Sequence, residues 1–130
     1  MSQPVTLRIV AELTFALNDD LRPYQVVELL DASSCRVALY SRYLDPDGLL
    51  WVRHGVFQAF YPSGALKSEG AFWHGKEQGS WRDHYENGIV AAEGSYHNGA
   101  HVGTWLYRHP NGHAEKPDFF PPPPPPTSTE

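Results

Sequence analysis

The chain has 130 residues, of which 41% are hydrophobic and 19% charged, and its formal net charge is −5. This length is typical of one domain, and four Trp, seven Tyr and six Phe supply the material for a small core. Cys35 is the single cysteine, which excludes an internal disulfide and a cysteine-based metal cluster. Basic and acidic residues are mixed along the chain, so the basic stripe typical of nucleic-acid binding is missing.

The same mixture of charges disfavours binding to anionic membranes. No apolar run approaches the ~20 residues of a membrane span. The N-terminus lacks a basic segment followed by an apolar run, which is the pattern of a secretory signal. We therefore expect a cytoplasmic protein that binds neither membranes nor nucleic acids.

Residues 1–53 are predicted to form an N-terminal β segment that packs on the rest of the chain. Apolar and polar residues alternate from Val5 to Asn18, as in a long half-buried strand. Two more strand candidates follow, Tyr24–Leu30 and Cys35–Leu44, although the apolar cluster from Val26 to Leu30 is also compatible with a short helix. A turn over 45–48 precedes a last short strand.

Residues 54–117 contain an internal repeat with a period of 24 residues. Glycine, aromatic and glutamate positions all keep this interval. The matching positions are Gly55, Gly79 and Gly103; Phe57, Trp81 and Trp105; Tyr61 and Tyr85; Gly64, Gly88 and Gly112; Glu69 and Glu93; Gly70 and Gly94; Phe72 and Tyr96; Gly75 and Gly99. About two and a half units fit into this segment.

Each unit has the pattern of a β-hairpin. In the second unit, strand-forming residues from Gly79 lead to the turn Glu86-Asn-Gly88, and Ile89 to Tyr96 form the returning strand. The sequence therefore predicts an all-β fold, an antiparallel meander of repeated hairpins that the N-terminal strands extend.

The repeated glycine, aromatic and Glu-Gly positions resemble the variant MORN repeat. This repeat is the hallmark of the YwqK-like antitoxin group of bacterial proteins, which act as immunity partners of toxins. The resemblance covers residues 55 to about 116, and the third unit departs from it because it lacks the Glu-Gly pair. It implies a binding protein that neutralises a toxin; MORN-type repeats also serve as scaffolds for structural proteins or lipids.

The repeat aromatics are predicted to share one face of the sheet, with the column Phe57, Trp81, Trp105 largely buried. Trp73 follows Phe72 directly, so its ring is expected to lie on the other side of the strand, exposed. Trp73 and the polar residues around the hairpins are the candidate contacts with a protein partner. These candidates are Trp73, Glu77, Arg82, Asp83, His84, Glu86 and Arg108.

Metal binding and catalysis are not predicted, and neither is a cofactor. Histidines in one repeat column lie two strands apart, about 10 Å, whereas zinc needs each nitrogen at about 2.0–2.1 Å. Asp83 and His84 point to opposite faces of one strand, so they do not form a triad with Ser80. Glu69 and Glu93 are also about 10 Å apart, and a recurring Glu-Gly is better explained as part of the hairpin.

Residues 118–130 form a proline-rich tail with six consecutive prolines. We expect this tail to be disordered or a polyproline II rod. The sequence thus favours a non-enzymatic protein that binds a cognate toxin domain in the cytoplasm by stoichiometric occlusion. The alternative from another class is a MORN-type scaffold that binds a structural protein or a membrane lipid.

Overall fold

The computed structural model describes residues 4–17 and 20–122, without the side chains of residues 15–17 and 20–22. Within these residues the chain forms ten β-strands and no helix, which confirms the predicted all-β class. The strands are β1 (Thr6–Leu17), β2 (Asp20–Leu30), β3 (Arg36–Leu44), β4 (Trp51–Phe60), β5 (Leu66–Trp73), β6 (Lys76–Glu77), β7 (Gly79–His84), β8 (Val90–His97), β9 (Ala100–Tyr107) and β10 (Asp118–Phe120).

All ten described strands belong to one antiparallel sheet in meander order. Each strand pairs with the next along the chain, except that β6 does not pair with β7: the two-residue β6 and β7 both pair with β5, on the edge that faces away from β4. The predicted meander of hairpins is therefore confirmed, and the stretch from Val26 to Leu30 is part of a strand.

The hairpin turns repeat every 24 residues because glycine recurs where the backbone needs a positive φ. The amide of Gly64 donates to the carbonyl of Tyr61, and the amide of Gly88 donates to that of Tyr85. Gly64 and Gly88 both have a φ of 93°. The third unit makes the same turn from His109 to His113, although it lacks the tyrosine.

The N-terminal strands extend the sheet at its edge instead of packing on the face of the array. β3 pairs with β4 through backbone hydrogen bonds, and β1 and β2 follow outward in the same sheet. In the turn between β2 and β3, the amide of Ser34 donates to the carbonyl of Asp31, and the amide of Asp31 donates to the carbonyl of Cys35. The repeat turns have the same two hydrogen bonds. Ser34 takes the glycine position with a φ of 66°, so a glycine pattern does not reveal this turn.

The core lies on one side of the sheet, which we call the aromatic face. Its side chains are those of Val27, Tyr40, Phe57, Phe72, Trp81, Tyr96 and Trp105. Trp81 and Trp105 are only 9% and 3% exposed, which confirms the predicted burial of the two tryptophans. Because all described strands lie in one sheet, no second layer of that part of the chain covers this face.

The tryptophans are buried by their own neighbours on adjacent strands. The Trp81 ring lies on Gly70 and contacts the rings of Phe57 and Phe72 at centroid distances of 5.7 and 5.3 Å. Its indole nitrogen donates to the carbonyl of Ala71 at 3.0 Å. Trp105 repeats this arrangement on Gly94, and its indole donates to the carbonyl of Ser95.

The opposite side of the sheet is called here the polar face. It carries the side chains of Val56, Gln58, Glu69, Trp73, Arg82, Glu93 and Leu106. These residues alternate with the aromatic ones along β4, β5, β7, β8 and β9, so the two faces have different chemistry.

The proline-rich tail begins later in the chain than the sequence indicates. Asp118–Phe120, which the sequence assigns to the tail, form β10 and pair with β9. The prolines at 121 and 122 follow without regular structure, and residues 123–130, on which most of the tail prediction falls, lie outside the described residues.

Candidate functional site

The seven candidate contact residues do not share one surface. Arg82 and Trp73 lie on the polar face, where His84 and Arg108 approach its two glutamates. Asp83 and Glu77 lie on the aromatic face instead, because they pair with Ser68 and Phe72 across the sheet. Glu86 lies in the turn between β7 and β8.

A row of alternating charges crosses the polar face. Glu69, Arg82 and Glu93 are direct neighbours on β5, β7 and β8. The Arg82 Nε lies 3.5 Å from one oxygen of Glu93, and the Arg108 Nη1 lies 2.9 Å from the other. Partly exposed pairs of this kind contribute only ~0–1 kcal/mol to stability, so the row mainly presents oriented charges to solvent.

Apolar side chains border this row and are exposed to solvent. Val56 is 65% exposed on one side of the row, and Leu106 is also exposed on the other. A shallow groove of about 470 Å³ lies next to Val56 and is also lined by Gln58, Glu69, Ser80 and Arg82. Oriented charges beside exposed apolar groups are typical of a surface that binds another protein.

Four rings form a cluster at one end of the polar face. Trp73 is 55% exposed, as predicted, and its ring lies 4.7 Å from that of His54 and 4.8 Å from that of His74. The two imidazole centroids are 4.5 Å apart. Tyr43 is buried beneath them, and its hydroxyl hydrogen-bonds to the Nδ1 of His74 at 2.8 Å.

The backbone fixes the state of one imidazole. The amide of His74 donates to the Nδ1 of His54 at 3.0 Å, so this nitrogen must be unprotonated. Burial, and then the neighbouring His74, lower the pKa of His54 below its ordinary value. The stability that the neutral His54 contributes is therefore present above the ordinary pKa of histidine. It is lost as the pH falls through the lowered pKa of His54.

We expect the free energy of unfolding to fall on acidification below pH about 6.5 and this fall to be smaller in His54→Asn. The asparagine Oδ1 takes the place of Nδ1 as acceptor but does not titrate. Denaturant unfolding at a series of pH values measures the effect. His113→Asn, which removes an exposed histidine, is the control and should keep the wild-type slope; equal slopes for all three proteins would contradict the assignment.

The residues weighed for catalysis make other contacts. The hydroxyl of Ser68 donates to the carboxylate of Asp83 at 2.6 Å, and the Nε2 of His84 approaches Glu69 at 3.9 Å. Arg82 lies between Glu69 and Glu93, so the two carboxylates do not face each other across a free gap. Among residues 4–17 and 20–122, no group of three or more His, Cys, Asp or Glu side chains is arranged to hold a metal ion.

Sequence reasoning did not find the ring cluster. The repeat columns do not reveal it, because His54 and His74 belong to different columns and meet only through the pairing of β4 with β5. The hairpin register, Gly55 opposite Phe72, was the signal that could have brought them together.

Comparison with known protein families finds a match in the repeat region. Residues 53–74 and 77–98 each match the family model described as MORN repeat variant. Neither the curated proteins nor the solved structures contain a match to the chain. In the part of the chain that the structure describes, no helix is long and apolar enough to cross a membrane. The two matched segments begin 24 residues apart, so the similarity to the MORN repeat variant has the same period as the hairpins.

Proposed function

We propose that the protein is a non-enzymatic binding protein whose polar face docks on a protein partner. The observation that carries this proposal is that the two faces of the sheet differ in burial. The aromatic residues of the repeat pack on each other, whereas Trp73, Val56 and Leu106 remain exposed beside oriented charges. The MORN repeat variant matches support a binding or scaffold role.

The proposed partner is the catalytic domain of a bacterial toxin that acts in the cytoplasm, and the protein is its immunity component. The resemblance of the repeat to that of YwqK-like antitoxins supports this choice. Neutralisation is stoichiometric: the polar face covers the active site of the toxin. The row Glu69, Arg82, Glu93 sets the orientation of the complex, and the exposed Trp73 supplies the anchor.

Replacing Trp73 with alanine is expected to weaken the complex at least about thirtyfold, because an aromatic anchor that an interface buries contributes about 2 kcal/mol or more. The experiment uses the product of a neighbouring gene as the toxin-domain candidate and measures the dissociation constant by calorimetry. Leu13→Ala is the matched control, since Leu13 is 66% exposed on the distant β1. Thermal unfolding of each variant separates lost binding from lost folding.

Co-expression tests the biological part of the proposal. Wild type and Leu13→Ala are expected to protect cells from the toxin candidate, whereas Trp73→Ala protects them less. If the wild type neither binds nor protects, the immunity function is wrong. If it sediments with anionic vesicles instead, the scaffold alternative replaces it.

A further inference from the structure

Two arginines lie directly opposite each other where the N-terminal strands join the repeat array. Arg42 of β3 pairs with Arg53 of β4, and both point to the aromatic face. Like charges at directly opposite positions destabilise a strand pair. The arrangement therefore does not serve stability, and it concentrates positive charge in a chain whose net charge is −5.

Neither guanidinium has a carboxylate partner among the described residues. Arg42 donates from Nε and Nη2 to the amide oxygen of Gln25, at 3.1 and 2.9 Å, and lies 4.1 Å from the centre of the Trp51 ring. Glu12 accepts a hydrogen bond from the side chain of Gln25.

The guanidinium of Arg53 lies near three aromatic rings. Its guanidinium carbon lies 4.8 Å from the ring centre of Tyr40, 5.5 Å from that of Phe57 and 5.6 Å from that of Phe72. A guanidinium that lies over rings keeps its N–H groups free at its edge. Among the described residues, no acceptor bonds to any of the five donors of Arg53, and none bonds to the Nη1 of Arg42.

Both arginines line one open cleft of about 570 Å³, together with Tyr40, Leu50 and Trp51. This volume lies in the range of small-molecule sites. The cleft thus combines two positive charges, free N–H donors and an apolar wall.

From this combination we infer that the cleft binds the phosphate group of a small phosphorylated molecule, held by Arg42 and Arg53. Two guanidinium groups match the charge of a phosphate monoester dianion, whereas one carboxylate would leave one of them unpaired. A phosphate group fills only part of the cleft, so the organic part of the ligand lies against Leu50 and Trp51. The site lies on the face opposite to the proposed protein interface and is independent of it.

Titration with inorganic phosphate, glycerol 3-phosphate and acetate, followed by calorimetry at low ionic strength, tests this site. We expect glycerol 3-phosphate to bind more tightly than inorganic phosphate, and acetate to bind least. Arg42→Gln and Arg53→Gln are each expected to weaken binding at least about tenfold, since each removes charge-assisted hydrogen bonds. Arg53→Lys keeps the charge but loses the planar guanidinium, so its affinity for phosphate should lie between those of the wild type and Arg53→Gln.

Lys67→Gln is the matched control. Lys67 also lies over an aromatic ring, that of Tyr61, and its replacement changes the net charge by the same amount as each arginine variant. Its affinity for phosphate is expected to equal that of the wild type. Equal weakening by Lys67→Gln would show a general charge effect and overturn the site. The absence of wild-type binding at about 10 mM, or tighter binding of acetate, would overturn it as well.

Discussion

Replacing Trp81 with alanine is expected to lower the free energy of unfolding by about 3–5 kcal/mol. The indole fills the space between two neighbouring strands, contacts Phe57 and Phe72, and donates to the carbonyl of Ala71. Because the described sheet has no second layer, the space that the ring leaves opens to solvent, and the rings of Phe57 and Phe72 lose their cover. Equilibrium unfolding in denaturant measures this loss.

Trp73→Ala is the control for the Trp81 prediction. It removes the same side chain from the other face, where Trp73 is 55% exposed, and should cost much less stability. A loss of less than about 1 kcal/mol for Trp81→Ala would mean that the aromatic face is not the core.

Replacing Gly70 with alanine is expected to destabilise the protein by about 3 kcal/mol or more. A Cβ atom at Gly70 would come within 2.1–2.5 Å of three atoms of the Trp81 indole, so ring and strand would have to move apart. Gly70 does not have a positive φ, so the backbone itself accepts alanine there.

The effect of this change should therefore reverse when the indole is absent. In a Trp81→Ala background, Gly70→Ala is expected to be neutral or slightly stabilising, because alanine loses less conformational entropy in a strand than glycine does. The four proteins of this cycle are compared by denaturant unfolding. If Gly70→Ala costs the same in both backgrounds, the close contact between Gly70 and Trp81 does not explain why the interval between glycine and tryptophan recurs in the repeat.

The fold of the repeat region could be predicted because its signals are local. Turn glycines such as Gly64 and Gly88 need only their own backbone geometry, and the alternation of Trp81 and Arg82 along one strand fixes two faces. The same alternation also separates Asp83 from Arg82. The predicted contact surface is therefore wrong in placing Arg82 and Asp83 together, since they lie on opposite faces.

The residues that the sequence did not reveal depend on the register between distant strands. Arg42 and Arg53 become neighbours only through an irregularity in β4, where Gly55 has a φ of 103°. A side chain at Gly55 would come within 2.8 Å of the hydroxyls of Ser41 and Tyr24. This contact between three strands has no periodic signature, so the opposed arginines could not be placed from the sequence.

The way each tryptophan packs gives the array a direction. The indole of β7 rests on the glycine of β5, and the indole of β9 rests on the glycine of β8, so each unit is completed by the one that follows it. One more 24-residue unit, inserted in register, would meet the same neighbours on both sides. Each added hairpin would widen the sheet by two strands, about 10 Å. The breadth of the polar face can thus change in whole units through duplication, while the contacts inside every unit stay the same.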